Sequence, residues 1–279
     1  MNRKTFLKRL FQISVAGAFP VMYSWQIEPF WVEFVERKLP VKNLPGELIG
    51  KTLMQISDMH VGNHFDWNFL IKVFQEAKAF HPDFVVYTGD YVSWESEQQY
   101  TQLRKVMQYV VRGKLGTCGI LGNHDYGKNW SERHIAANIC DILESSGITM
   151  LNNTQQETHG LNLIGFEDFW SPNFNPLQVM KEYDPAKANL VLCHNPDVCD
   201  LDVWNGYQGW ILSGHTHGGQ CRIPGVITPI LPVRNKRYTS GEIDLQDGRM
   251  LYINRAIGHS RQIRFMVRPE ITLFTLTQF

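Results

Sequence analysis

Five short apolar runs recur along the chain, at 53–56, 84–87, 119–121, 189–192 and 210–212, and each is followed within a few residues by a polar cluster. Apolar runs this short, closed by Gly, Asp and Asn, predict strands buried on both faces. The clusters are Asp58-Met59-His60, Gly89-Asp90, Gly122-Asn123-His124-Asp125, Cys193-His194-Asn195-Pro196 and Gly214-His215-Thr216-His217-Gly218-Gly219-Gln220. In open α/β sheets, ligands sit beyond the carboxyl ends of the strands. Five strand ends would therefore carry five clusters to one edge and one shared site.

Between the runs the period changes. Trp67, Leu70, Ile71, Phe74 and Ala77 share one helical face after Asp66, a candidate N-cap. Residues 97–111 and 131–143 read as further helices, and 148–151, 161–164, 250–253 and 271–276 as strands. This order predicts an α/β sandwich with mixed sheets, in a catalytic domain spanning 50–279. Upstream, Ile27, Phe30, Trp31, Phe34 and Val35 fall at helical spacing, with Glu28, Glu33, Glu36 and Arg37 on other faces. That stripe predicts an amphipathic helix, which a linker through Pro40 and Asn43-Leu44-Pro45-Gly46 follows, together covering 28–49.

Charge changes the picture at the amino end. Arg3, Lys4, Lys8 and Arg9 stand in the first ten residues without an acid, and 10–27 is uncharged. Residues 1–27 therefore read as a signal peptide or membrane anchor. As a spanning helix the stretch is marginal: that needs about 20 mostly apolar residues, and Gln12, Ser14, Pro20 and Ser24 interrupt it. The stretch Asn2-Arg3-Lys4-Thr5-Phe6-Leu7-Lys8 resembles a twin-arginine export signal with lysine in the second arginine position. Basic residues before the apolar run predict a membrane-associated or exported catalytic domain on the extracytoplasmic side, a cytoplasmic placement remaining the alternative. Over the whole chain, 27 basic residues balance 27 acidic ones, so no basic field points to a nucleic-acid partner. Five cysteines without a close pair argue against a disulfide framework or a zinc knuckle, and Cys193 reads as a small apolar side chain.

The clusters supply carboxylate, imidazole and amide-oxygen donors without thiolate, a set that suits manganese, iron or zinc. The candidate ligands are Asp58, His60, Asp90, Asn123, His194, His215 and His217. One bridging aspartate, expected to be Asp90, would divide them between two divalent ions roughly 3.5–4 Å apart, a pair that polarises a phosphoryl oxygen and acidifies water. His124 stands beside Asn123, where it can protonate a leaving oxygen, and Asp125 is expected to orient it. His64, His81, His134 and His159 lack any such setting. Arg234, Arg237 and Arg264 are the right chemistry for phosphate but are given no role in the site.

Taken in order, Asp-x-His, Gly-Asp, Gly-Asn-His-Asp, His and Gly-His-x-His over 58–217 resemble the calcineurin-like metallophosphoesterases. The resemblance implies a four-layer α/β/β/α sandwich of two mixed sheets flanked by helices. It also implies one metal held by Asp58, His60, Asp90 and His217, a second held by Asp90, Asn123, His194 and His215, and His124 as the acid. The basic amino-terminal segment, Asn43-Leu44-Pro45, the Gly-His-Thr-His stretch and Arg268-Pro269-Glu270 are similar to a small membrane-associated bacterial branch. Some members of that branch cleave the pyrophosphate of UDP-2,3-diacylglucosamine in lipid A synthesis. Arg255-Ala256-Ile257-Gly258 departs from the branch's more usual Arg-Gly-Leu-Gly. The expected activity is hydrolysis of a phosphodiester or pyrophosphate in a phosphate-containing small molecule or lipid, at a membrane. A non-catalytic scaffold and a nuclease on the same fold are the alternatives.

Overall fold

In the computed structural model, residues 4–5, 19–223, 225 and 230–279 are described. Two six-stranded mixed sheets lie face to face. The first has the order β1 (Glu33–Val41), β12 (Glu270–Gln278), β2 (Thr52–Ile56), β3 (Phe84–Thr88), β4 (Gly116–Ile120), β5 (Thr149–Met150). The second runs β10 (Gly241–Asp244), β11 (Met250–Ile253), β9 (Trp210–Ser213), β8 (Ala188–Leu192), β7 (Leu161–Gly165), β6 (Thr154–Thr158).

Side-chain alternation sorts the apolar residues into layers. Leu53, Phe84 and Val86 of the first sheet meet Leu190, Leu192, Trp210 and Leu212 of the second in a central core. Their neighbours Met54, Val85 and Tyr87 turn outward to α1 (Asn68–Lys78), α2 (Gln98–Met107) and α3 (Arg133–Ser145). Val191 and Ile211 face a third core, covered by the short α4 (Pro176–Met180) and by loops carrying Trp204, Tyr207 and Tyr238. Strands covered on both faces have no polar face, which is why β2, β3, β8 and β9 read as mostly apolar runs, interrupted only by buried polar residues such as Gln55 and Asn189. The four-layer α/β/β/α architecture holds, its fourth layer being mostly loop.

Asp66 does accept a bond from the backbone N–H of Asn68, at 3.0 Å, at the start of α1. The amphipathic helix expected within 28–49 is not formed. Glu28–Phe30 is a single 3-10 turn, and β1 then pairs in parallel with β12 from Glu33 to Val41. Two facts decide against the helix. Pro40, expected in the linker beyond the helix, is accepted by an edge strand, so the extended conformation runs unbroken from Glu33 to Val41. Leu39 and Val41 also satisfy a period of two that the 3.6-residue stripe ignored, and both are buried in the central core. Upstream, Tyr23–Ile27 forms a π-helical turn, while 1–3 and 6–18, most of the expected anchor, lie outside the described residues. No helix among the described residues is long and apolar enough to cross a membrane.

Candidate metal centre

The carboxyl ends of β2, β3 and β4 in one sheet, and of β8 and β9 in the other, open on the same edge. Beyond them the chain turns sharply. Asp58, His60, Asp90, His215 and His217 all adopt left-handed backbone, with φ between 48° and 70°. Side chains other than glycine rarely hold this conformation, and where it persists it marks a site that the surrounding fold over-determines. Glycines give the room. A Cβ on Gly122 would strike the Asp90 carboxylate, and one on Gly214 would strike Ser57 Oγ and Asp58 Oδ2.

Asp58, His60 and His217 each present one ligand atom within 4.8 Å of the other two, and so do Asp90, His194 and His215. A third group, His60, Asp90 and His124, spans the gap between them under the same limit. Asp90 therefore stands between the two sets: its Oδ2 is 3.2 Å from His194 Nε2 and 3.6 Å from His60 Nε2. His217 Nε2 lies 3.2 Å from Asp58 Oδ1 and 3.0 Å from His60 Nε2.

Three of the rings are fixed from behind. His60 Nδ1 meets Ser93 Oγ at 2.9 Å, His194 Nδ1 meets the Thr88 carbonyl at 2.7 Å, and His215 Nε2 meets the Pro232 carbonyl at 3.0 Å. In each case the other nitrogen faces the cluster, the arrangement by which metal-binding imidazoles are oriented. Asn123 Oδ1 is buried without a hydrogen-bond partner, as is His217 Nδ1. An orphaned amide oxygen among carboxylates and imidazoles is the donor chemistry a divalent cation would satisfy, so these residues fit a metal centre.

Electrostatics point the same way. Burial pushes His60 well below the usual imidazole range, and burial with the nearby His194 charge takes His215 down to about 3, leaving both neutral as ligands must be. Burial would raise Asp58 and Asp90. The charges of His217 and His194 nevertheless hold Asp58 at about 2, and those of His194 and His124 hold Asp90 well below the carboxylate range. His194 is the exception: burial would lower it, but the Asp90 carboxylate beside it raises it well above the usual range, so in the metal-free chain this ring carries a proton that a bound metal would have to displace.

His124 is half-buried beside the cluster, its backbone N–H donating to Asp90 Oδ1 at 2.9 Å. Asp125 does not orient it as expected. Its Oδ1 accepts from the N–H groups of Tyr91 and Val92 at 2.8 and 3.2 Å, and its Oδ2 from that of Gly122 at 2.9 Å. It fixes the two ligand loops instead. A cavity of about 530 Å³ opens on the cluster, walled by Trp130, Trp170, Ile230, Arg261 and Ile263. Trp130 and Trp170 stack with centroids 4.7 Å apart, and Trp170 meets the His215 ring edge-on at 4.7 Å. The supporting Ser57 and Ser93 and the two tryptophans were not singled out in the sequence; Ser57 and Ser93 could have been suspected only from lying next to or near Asp58 and Asp90.

His64, His81, His134 and His159 are exposed and stay apart from the cluster. Arg264 is fully buried, donating to the Gly258 carbonyl at 2.8 Å and the Val267 carbonyl at 3.2 Å, so it cannot reach a phosphate. Its loop clamps the first ligand segment, Gly258 N–H donating to the Asp58 carbonyl at 2.8 Å, and Ala256 occupies a left-handed position at φ 68°. All five cysteines are free, Cys193 being buried.

Residues 51–219 match the family model for calcineurin-like phosphoesterases. The chain belongs to this family. The phosphoesterase is accordingly an enzyme, a metal-dependent hydrolase. It is 28% identical over 286 residues to the uncharacterized metallophosphoesterase YkuE of Bacillus subtilis, covering 99% of this chain and 98% of that one. It is 26% identical to the phosphodiesterase YaeI of Escherichia coli, with 99% of each chain covered. It is also 26% identical to the UDP-2,3-diacylglucosamine pyrophosphatase LpxG of Chlamydia muridarum, over 81% of this chain and 83% of the relative.

Proposed function

We propose that this phosphoesterase cleaves a phosphodiester or pyrophosphate bond with two divalent ions, on a lipid-linked substrate at a membrane surface. The observation that carries the reading is the pair of ligand groups meeting at Asp90. Asp58, His60, Asp90 and His217 would hold one ion and Asp90, Asn123, His194 and His215 the other. When bound, such a pair polarises the phosphoryl oxygen and makes water acidic enough to act near neutral pH. The chain's own part is positional. Ser93, Thr88 and Pro232 keep the imidazoles aimed, Asp125 keeps the two loops in register, and His124 delivers a proton to the leaving oxygen at the cavity wall. The names of the Escherichia coli and Chlamydia relatives support the diester and pyrophosphate classes respectively.

The test is hydrolysis of bis-p-nitrophenyl phosphate, p-nitrophenyl phosphate and UDP-2,3-diacylglucosamine by the metal-stripped chain, with manganese, zinc or iron restored. Turnover of the lipid nucleotide is the expected result. Cleavage of the aryl monoester alone would refute it. His124→Ala should keep its metal and lose about 10²–10⁴-fold in turnover on substrates with poor leaving groups, whereas Asp90→Asn should lose metal itself. Unchanged metal content in Asp90→Asn would sink the bridging role.

A further inference from the structure

The cavity mouth continues into an apolar surface that the hydrolysis itself does not use. Gln220, three residues beyond His217, donates from its side-chain amide to the carbonyls of Arg261 and Ile263, both at 2.8 Å. Its own carbonyl accepts from Phe265 N–H at 2.9 Å, and Arg222 N–H donates back to the Phe265 carbonyl at 2.8 Å. On the other flank, Arg264 N–H donates to the Ser24 carbonyl at 2.8 Å, and Gln262 Nε2 to the Trp25 carbonyl at 3.0 Å. Buried Glu28 accepts from the N–H groups of Met266 and Val267. Three segments, 22–28, 220–223 and 261–267, are thus laced side by side.

Along these segments and at Ile230, large apolar side chains stay in the open. Met22, Trp25, Ile223, Ile230, Ile263 and Met266 are between 44% and 75% exposed. Single exposed apolar residues are ordinary, but a run of them along adjoining segments marks an interaction surface. Ile230 and Ile263 also line the cavity, with Arg261 between surface and site. Two features of the chain identify the occupant. The segment entering this face is uncharged over 10–27 and is preceded by Arg3, Lys4, Lys8 and Arg9, and the sequence between Arg222 and Arg234 carries no charge. An apolar face fringed by arginine and fed by a basic, then apolar, leader has the chemistry of an anionic bilayer interface.

We infer that this face sits in the interfacial layer of an anionic lipid bilayer, so that the cavity opens at headgroup level. The face stands on its own observations, whereas the consequence that substrate enters from the membrane rests on the proposed function. The test uses the full chain with phosphatidylglycerol vesicles whose acyl chains are either brominated or not. The fluorescence that Ile263→Trp adds to wild type should fall by about half or more with brominated lipid. The fluorescence added by Leu177→Trp, a control at an exposed α4 position, should not change. Quenching at neither position, or equally at both, overturns the inference. So does a vesicle-free dimer that Ile263→Asp dissociates, because the face would then belong to a second copy. Melting followed by circular dichroism confirms that each variant is folded. Hydrolysis of soluble bis-p-nitrophenyl phosphate by metal-restored wild-type chain separates the two readings, since quenching of the variant without turnover by wild type upholds the membrane face while removing the proposed chemistry.

Discussion

At the scale of single residues, the site is built on conformations that side chains resist. Asp58 and Asp90 are held with φ near 50°, and the space they occupy exists because Gly214 and Gly122 lack a Cβ. Gly214→Ala is therefore expected to displace Asp58 and, on the proposed two-ion centre, to lower metal content by about half, read by elemental analysis of the purified protein against wild type; unchanged content would show that the contact is easily relieved. Asp168 gives a pH signature. It is buried with Oδ2 unpartnered, and burial pushes its carboxyl up to about 7. Between the ordinary carboxylate range and pH 7 the folded state then binds more protons than the unfolded one, so stability falls as pH rises through that window. In metal-stripped protein, Asp168→Asn should raise the melting temperature at pH 8 and leave it nearly unchanged at pH 4. An equal effect at both would remove burial of charge as the cause. The candidate ligands were legible because each stands in a short motif after an apolar run. Ser93, Trp130 and Trp170 were not, since only the folded chain brings them beside the ligands, and Asp125 misled because adjacency to His124 in sequence says nothing of where a carboxylate turns.

At the scale of elements, legibility followed burial. β2, β3, β8 and β9 are covered on both faces and were read from their apolar runs alone. The strands that went unread, β1, β6 and β10, all lie at sheet edges, where pairing is one-sided and polar residues are tolerated. β6, Thr-Gln-Gln-Glu-Thr, has no apolar residue to betray it. The central strands should also be the costly ones to damage. Leu212 of β9 is fully buried in the central core, with only Ser213 between it and the turn that carries His215 and His217. Leu212→Ala should cost about 2–5 kcal/mol in urea unfolding and weaken metal binding together with stability. Weakened binding at unchanged stability would separate the strand from the site.

At the scale of the molecule, the candidate ligands come from both sheets: Asp58, His60, Asp90 and Asn123 follow strands of one, and His194, His215 and His217 follow strands of the other. Bound metal would join the two sheets at one edge, which the central apolar core already joins along their faces. Each ion at 100 times its dissociation constant adds about 2.7 kcal/mol to the folded state, so the proposed pair adds about 5 kcal/mol, or roughly 10–20 °C for a domain of this size. Chelation should lower the melting temperature by that amount and readdition restore it. An unchanged midpoint would mean that the sheets do not need the link.

The placement of β12 has a consequence for how the molecule is made. This strand, more than fifty residues beyond His217, lies between β1 and β2 and holds both. During synthesis from the amino end, β2 leaves the ribosome with one edge open and keeps it open until the residues beyond 270 follow. Every ligand is then already outside the ribosome before the sheet bearing Asp58 can close. A nascent chain of this kind carries its metal-binding groups for some time without a place to put them, and is expected to depend on being kept from premature pairing until its last strand arrives.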